Sequence, residues 1–237
     1  MTIIQFCGDM LHILAVISLL IYLWKYESLI GISGKSQIMY ALVFTTRYMD
    51  LFIWPTVYRT IVKVTFIISS YLTVYLIYVK FKHTNDNTND TFRVKLLVIP
   101  ACVLAFFVNN QFSIIEILWT FSIYLECVAM LPQFWMMIWN GEAGRFVCFY
   151  LCAMGSYRVF YIMHWIYIEN SNGGNLNLIS FISGNLQSCL YWVFLTVYIN
   201  KLRESRKQKI KPSSTLQDGL IMTLSPRWPG FGVQRDL

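Results

Sequence analysis

The chain predicts an all-α integral membrane protein, and three observations carry that expectation. Of its 237 residues 57% are hydrophobic and 13% are charged, with a mean hydropathy of +0.52; a soluble domain of this size is about one-quarter charged. Several apolar stretches exceed about 18 residues, the length a helix needs to cross a bilayer. These runs are continuous, whereas the strands of a membrane barrel alternate apolar and polar residues. A helix satisfies its own backbone in lipid, so a bundle of helices follows.

The first run starts at Ile3 with no basic segment before it and no small-residue cleavage site after it. It reads as a retained helix at about 3–23 rather than a signal peptide. Further helices are expected at about 36–54, 60–79, 96–110, 113–138, 146–168 and 177–200. The fourth is short for a span. Short connections make neighbours antiparallel, and seven spans put the termini on opposite sides. Thirteen Lys and Arg fall on one side: Lys25, Lys35, Lys80, Lys82, Arg93, Lys95, Arg145, Lys201, Arg203, Arg206, Lys207, Lys209 and Lys211; the other side has Arg59. Cytoplasmic loops collect basic residues, so the C-terminal tail is expected in the cytosol and the N-terminus in the lumen or outside. The net charge of +7 reflects this bias, and no nucleic-acid motif accompanies it.

The sequon Asn89-Asp90-Thr91 falls on the cytosolic side in this topology and is expected to be unmodified. From residue 212 onward Pro, Ser, Gly and Trp replace the apolar runs, the composition of a disordered cytosolic tail. All six cysteines sit in apolar segments without a C-x-x-C pair and read as small buried hydrophobes.

Ionisable residues inside the spans carry the functional signal. Asp9, His12, Arg47, Asp50, Lys63, Glu116, Glu126, Arg158 and His164 all fall there. A charge at membrane depth costs several kcal/mol unless it faces a partner or a wet cavity. Any one of them can simply bond a neighbouring helix; nine together predict a polar chamber. Arg47, Lys63 and Arg158 against Asp9, Asp50, Glu116 and Glu126 leave the interior near minus one, which one protonated His would balance. Trp119 follows Glu116 by three residues and shares its helix face. Tyr157, Arg158, Tyr161 and Trp165 form one polar-aromatic stripe, too costly to face lipid. Tyr48, Trp119, Tyr157, Tyr161 and Trp165 can belong to interfacial belts, or Trp119 and Trp165 can stack on the stem or charge of a ligand Lys. Separate acidic and basic walls suit a short mixed-charge ligand such as a peptide end, since Arg takes a carboxylate in bidentate fashion. No nucleophile–base pair, metal-ligand spacing or cofactor motif appears, which argues against an enzyme.

Pro132-Gln133 near the end of the fifth helix and Ser36-Gln37 at the start of the second are related features of two half-bundles. A Pro-Gln pair at a helix end can kink the helix through the missing N–H and act as a hinge. On a seven-helix background this resembles the PQ-loop and sugar-porter architecture: seven transmembrane helices, two three-helix bundles joined by a linker helix, with the short fourth helix as linker.

The chain also resembles the KDEL receptors, over about residues 1–205. The strings that carry the likeness are Gly31-Ile-Ser-Gly-Lys-Ser-Gln37, Arg47-Tyr48-Met49-Asp50-Leu51-Phe52, Asp90-Thr91-Phe92-Arg93-Val94, Glu116-Ile-Leu-Trp-Thr-Phe-Ser-Ile-Tyr-Leu-Glu126, Ala129-Met-Leu-Pro-Gln133, and Tyr157-Arg158 with Tyr161 and Trp165. The resemblance implies a receptor that binds C-terminal KDEL-like retrieval signals of luminal endoplasmic-reticulum proteins in the acidic Golgi and returns them. It implies that Arg47 and Tyr48 meet the cargo's terminal carboxylate, that Asp50, Glu116 and Trp119 hold the residue four from the end, and that Arg158, Tyr161, Trp165 and, in place of a family Asn, His164 line the rest. His12, with Tyr157 and Glu126, becomes the proton switch; His is the side chain that titrates between about pH 5 and 8 unaided. Residues 1–205 form the receptor domain and 206–237 the tail, in which Arg206, Lys207 and Lys209 are candidates for a retrograde-coat signal.

The chain departs from the family pattern too. Gln5 and Ile168 stand where the family carries Arg, Asn177 and Val193 where it carries Asp, and the tail is longer. An altered signal preference is expected, with Arg59 at the luminal mouth compensating in part. A PQ-loop-type small-solute or proton-coupled transporter is the competing reading. A paralogue that binds nothing and acts as a partner subunit is the third.

Overall fold

The computed structural model describes residues 2–27, 29, 31–49, 57–84, 90–140, 145–172 and 177–210. Asp50, the Asn89 side of the sequon and the tail from residue 211 lie outside them, as do the side chains of Arg145, Arg206 and Lys209. The described residues hold helices and turns and no strand. The helices are α1 (Ile3–Tyr26), α2 (Gly34–Arg47), α3 (Val57–Tyr75), α4 (Lys95–Phe107), α5 (Ile114–Val128), α6 (Leu131–Asn140), α7 (Arg145–Asn172) and α8 (Leu178–Ile210), and α3 runs on through a π-helical turn, Leu76–Lys80. Among the described residues five stretches are long and apolar enough to cross a membrane: Ile3–Tyr26, Val57–Lys80, Ile114–Trp139, Phe146–Ser171 and Leu178–Glu204. With the outward array of Ile, Leu, Val, Phe and Trp side chains, this is an integral membrane protein of helices.

Each end of α1 has a local cause. Thr2 caps the start, its hydroxyl accepting from the Gln5 amide at 3.3 Å, and Glu27 closes the end in the left-handed conformation, a common way to finish a helix. Gly8, Asp9, His12, Ala15, Val16, Leu19 and Leu23 are buried, one stripe at helical spacing. That stripe packs along α7, with a lesser contact to α3. α2 lies between α3 and α5; α8 packs on both α5 and α7; α4 rests on α5. Asp9 and His12 therefore face the interior, where α1, α2, α3, α5 and α7 converge.

The expected helix at 113–138 is divided. α5 ends at Val128, a turn carries Ala129 and Met130, and α6 restarts at Leu131. Pro132 is the second residue of α6, inside the first turn, where a helix makes no use of the missing N–H. Gln133 beside it is fully buried and makes three cross-helix bonds. Its Oε1 accepts from the Ser33 amide at 2.7 Å, its Nε2 donates to the Gly31 carbonyl at 2.7 Å, and its own amide donates to Ser36 Oγ at 3.1 Å. Asp90 completes the junction: Oδ2 accepts from Ser33 Oγ at 2.8 Å and from the Lys35 amide at 3.1 Å, and Lys35 Nζ bonds its carbonyl. The unpaired amides at the start of α2 are thus satisfied from two other segments. At Gly34 a Cβ would stand 2.6 Å from the Tyr78 hydroxyl, so any larger residue there displaces that side chain.

Candidate functional site

Glu126 organises the interior. It comes from the last turn of α5, is 2% exposed, and its Oε2 lies 2.6 Å from Arg47 Nη1 and 2.6 Å from Arg158 Nη2. Its Oε1 accepts from the Tyr157 hydroxyl at 2.6 Å. Arg47 ends α2, and its Nε donates to Ser122 Oγ at 3.1 Å. Ser122 is four residues before Glu126 and so on the same face of α5. One carboxylate serves two guanidinium groups, which leaves one positive charge uncompensated in this cluster. Arg47 Nη2 and Arg158 Nε are buried and have no hydrogen-bond partner among the described residues. Burying an unpaired charged donor is costly, so these two groups have capacity for a further acceptor.

The second carboxylate is engaged differently. Asp9 Oδ2 accepts from the Tyr58 hydroxyl at 2.9 Å, and Oδ1 accepts from the Tyr161 hydroxyl. His12 follows Asp9 by three residues on α1, its ring stacked on Tyr157 with centroids 4.0 Å apart and planes 2° from parallel. Phe66 and Phe44 close the other sides at 4.4 and 5.7 Å. His12 is buried, and its Nε2 has no partner among the described residues.

These groups face a cavity of about 550 Å³. Of the residues singled out in the sequence, His12, Arg47, Tyr48, Trp119, Glu126, Tyr157, Arg158, Tyr161 and Trp165 line it, as do Asp9 and Lys63. Lys63 Nζ stands 5.8 Å from the Tyr48 ring centre. Trp165 and Arg158 occupy space that Gly184 of α8 leaves open: a Cβ there would lie 3.0 Å from Trp165 Cζ3 and 3.5 Å from Arg158 Cδ. Glu116 sits one turn above Trp119, outside the lining, where Oε1 accepts from Asn110 Nδ2 at 2.9 Å. His164 lines an adjoining cleft, its Nδ1 2.6 Å from Thr2 Oγ1. Asp50 lies outside the described residues. Lys207 is exposed on α8.

Tyr58 and Ser122 are site residues that sequence reasoning passed over. Ser122 was findable from its spacing to Trp119 and Glu126. Tyr58 had no such signal, because its partner Asp9 is 49 positions away. No group of three His, Cys, Asp or Glu among the described residues is arranged to hold a metal ion.

An interior cavity with paired charges on converging membrane helices defines the class: an integral membrane protein with a charged chamber between its helices. Residues 28–168 match the family model described as ER lumen protein retaining receptor. The chain is 44% identical over 214 residues to the ER lumen protein-retaining receptor of Drosophila melanogaster, covering 89% of this chain and 99% of that one. It is 48% identical over 211 residues to ER lumen protein-retaining receptor 2 of Homo sapiens, covering 87% and 98%. The chain belongs to the ER lumen protein retaining receptor family, a family of receptors and not of enzymes.

Proposed function

We propose that this chain binds the C-terminal KDEL-like retrieval signals of luminal endoplasmic-reticulum proteins in the acidic Golgi and returns them to the reticulum. The observation that carries the reading is the pair Arg47 and Arg158, sharing one carboxylate at the cavity floor with two buried donors open. A peptide's terminal carboxylate supplies the missing anion in a form that guanidinium groups accept bidentately. Tyr48 and Arg47 meet that carboxylate; Trp119, Tyr161 and Trp165 pack along the peptide; Glu116 and Asp50 attract the cationic residue four from the end; His164 flanks the mouth. The neutral-sugar or proton-transport alternative leaves the surplus guanidinium charge without a role.

Residues 1–205 are read as a seven-span receptor domain, with α5 and α6 acting as one span. α1–α3 form one three-helix bundle, α5/α6–α8 the other, and α4 is the linker, a PQ-loop-like plan with the cavity between the halves. The N-terminus faces the lumen, and residues 206–237 form a cytosolic tail whose Arg206, Lys207 and Lys209 engage the retrograde coat.

Proton control falls to His12. It stacks on the tyrosine that donates to Glu126, so an imidazolium adds positive charge where the cargo's carboxylate arrives. Binding that takes up a proton is strongest below the pH at which the bound complex releases it and weakens as pH rises. A His12→Phe receptor keeps the ring stack and loses the proton. Titrating a labelled peptide ending in Lys-Asp-Glu-Leu from acidic to neutral pH decides the matter. Wild type is expected to weaken steadily with pH, and His12→Phe to bind weakly and flatly. Equal affinity across pH for wild type sinks the switch, and absence of binding at every pH, with solute uptake in proteoliposomes, sinks the receptor reading.

A further inference from the structure

His164 meets the start of α1 in a second cavity of about 480 Å³, which shares Gln5 and Arg59 with the ligand cavity. The ring is buried, and its Nδ1 lies 2.6 Å from Thr2 Oγ1. The same Thr2 oxygen accepts from the Gln5 amide at 3.3 Å and caps α1. With a neutral ring the Thr2 hydroxyl donates to Nδ1; with an imidazolium Nδ1 donates to Thr2 Oγ1. The cap survives either way. This histidine therefore takes up a proton without losing its hydrogen bond.

The charges around the ring come from three helices. α1 brings Asp9 and the chain's amino terminus to bear on it. α3 brings Arg59 to the same wall, with Lys63 one turn deeper in the ligand cavity. Its own helix adds Tyr161 and Tyr167, and α8 contributes nothing to the described lining of this cleft. Asp9 is engaged by Tyr58 and Tyr161, and no carboxylate lines the cleft itself. A carboxylate that enters favours the imidazolium, so anion and proton bind together. His164 follows Arg158 by six residues on α7, about 9 Å along the helix axis. An extended peptide covers that rise in about three residues. A signal anchored by its terminal carboxylate at Arg47 and Arg158 thus carries its acidic side chains level with His164.

We infer that His164 is a second proton site of the receptor, in series with His12, and that it becomes cationic when the seated signal brings its acidic side chains into the cleft. The inference rests on the receptor reading above and adds a second regulatory proton to it. An imidazolium bonds a carboxylate with charge assistance; a neutral ring does not. The order of the two protons is fixed, because a peptide not first held at the arginine pair never presents its side chains to the cleft. His12→Phe therefore loses both protons, whereas His164→Asn loses the second alone.

The test uses the full chain in lipid nanodiscs and two labelled peptides, one ending in Lys-Asp-Glu-Leu and one in Lys-Asn-Gln-Leu, from about pH 5 to about pH 8. His164→Asn keeps a polar partner for Thr2 and cannot become cationic. The quantity read is the ratio of the variant's Kd to that of wild type, in which the contribution of His12 cancels. For the acidic peptide the ratio is expected to be about three- to tenfold at the acidic end and to shrink as pH rises. For the amide peptide it is expected to show no pH dependence. A ratio that ignores pH for the acidic peptide, or that changes alike for both peptides, overturns the second proton site and leaves the receptor reading intact. Failure of wild type to bind either peptide at any pH brings down the receptor reading itself and this inference with it.

Discussion

At the scale of single residues, Glu126 holds a position no other side chain can fill. Removing its charge leaves two buried guanidinium groups facing each other, and breaking a buried pair from one side costs about 3–5 kcal/mol. Glu126→Gln is therefore expected to lower the thermal unfolding temperature in detergent and to abolish peptide binding. Tyr157→Phe removes one hydroxyl bond to the same carboxylate and keeps the ring against His12, so its cost is about 1–2 kcal/mol. Fluorescence-monitored unfolding of the two variants checks the order; a Glu126→Gln protein as stable as wild type contradicts the shared-carboxylate geometry.

Most of this site was legible in the sequence because charge inside an apolar run has no cheap structural excuse. Arg47, Glu126 and Arg158 stood out on that ground alone. The partition between carboxylates was not legible. Sequence alone treats Asp9 and Glu126 as equal counterions, whereas the fold gives Glu126 both guanidinium groups and gives Asp9 two tyrosine hydroxyls. That choice depends on which helix faces meet, and contacts 49 or 152 positions apart leave no local pattern. Glu116 shows the same gap: spacing put it on the Trp119 face, and only the fold shows it one turn beyond the cavity lining.

At the scale of elements, the Pro132-Gln133 pair separates what proline does from what glutamine does. Pro132 falls in the first turn of α6, where the lost N–H has no bond to lose, so Pro132→Ala is expected to change stability little. Gln133→Ala removes the two side-chain bonds that tie α6 to the Ser33 amide and the Gly31 carbonyl, and keeps the backbone bond to Ser36 Oγ. Leaving such groups unpaired costs about 1–3 kcal/mol each before relaxation. The variant is thus expected to unfold well below Pro132→Ala in a thermal scan. The reverse order would show that the proline hinge, and not the glutamine tie, holds the two halves in register. The sequence placed this motif correctly near a helix end but merged α5 and α6, because both flanks are apolar and Ala129-Met130 carries no turn residue.

Gly184 makes a related argument between α8 and α7. A methyl group there meets the Trp165 ring at 3.0 Å, closer than a ring packed beside Tyr161 can easily retreat. Gly184→Val is expected to tilt Trp165 into the cavity and weaken peptide binding by about tenfold, with a smaller loss of stability. Tryptophan emission on peptide addition, compared with wild type, reports the displaced ring.

At the scale of the whole molecule, the cations sort to one end. Lys80 Nζ lies 3.6 Å from the centre of the Trp24 ring, Lys35 bonds Asp90, and Lys201 bonds the Ile138 carbonyl. All belong to the end that carries the Gln133 junction, while Arg59 stands at the opposite end beside Thr2 and Gln5. Basic residues near span ends stay in the cytosol, so the proposed topology has the cavity mouth opening to the lumen. Asp90 sharpens the point. It is 7% exposed and bonded to Ser33 and Lys35, and it sits inside the sequon beginning at Asn89. If that junction were luminal, the sequon would meet the glycosylation machinery during synthesis, before the bonds form. An N-terminal extension carrying its own sequon provides the internal control. Its asparagine is expected to be modified and Asn89 to remain bare, read as a single endoglycosidase-sensitive shift that Asn89→Gln leaves in place. A shift that depends on Asn89 instead would turn the receptor over in the membrane and point the arginine pair at the wrong compartment.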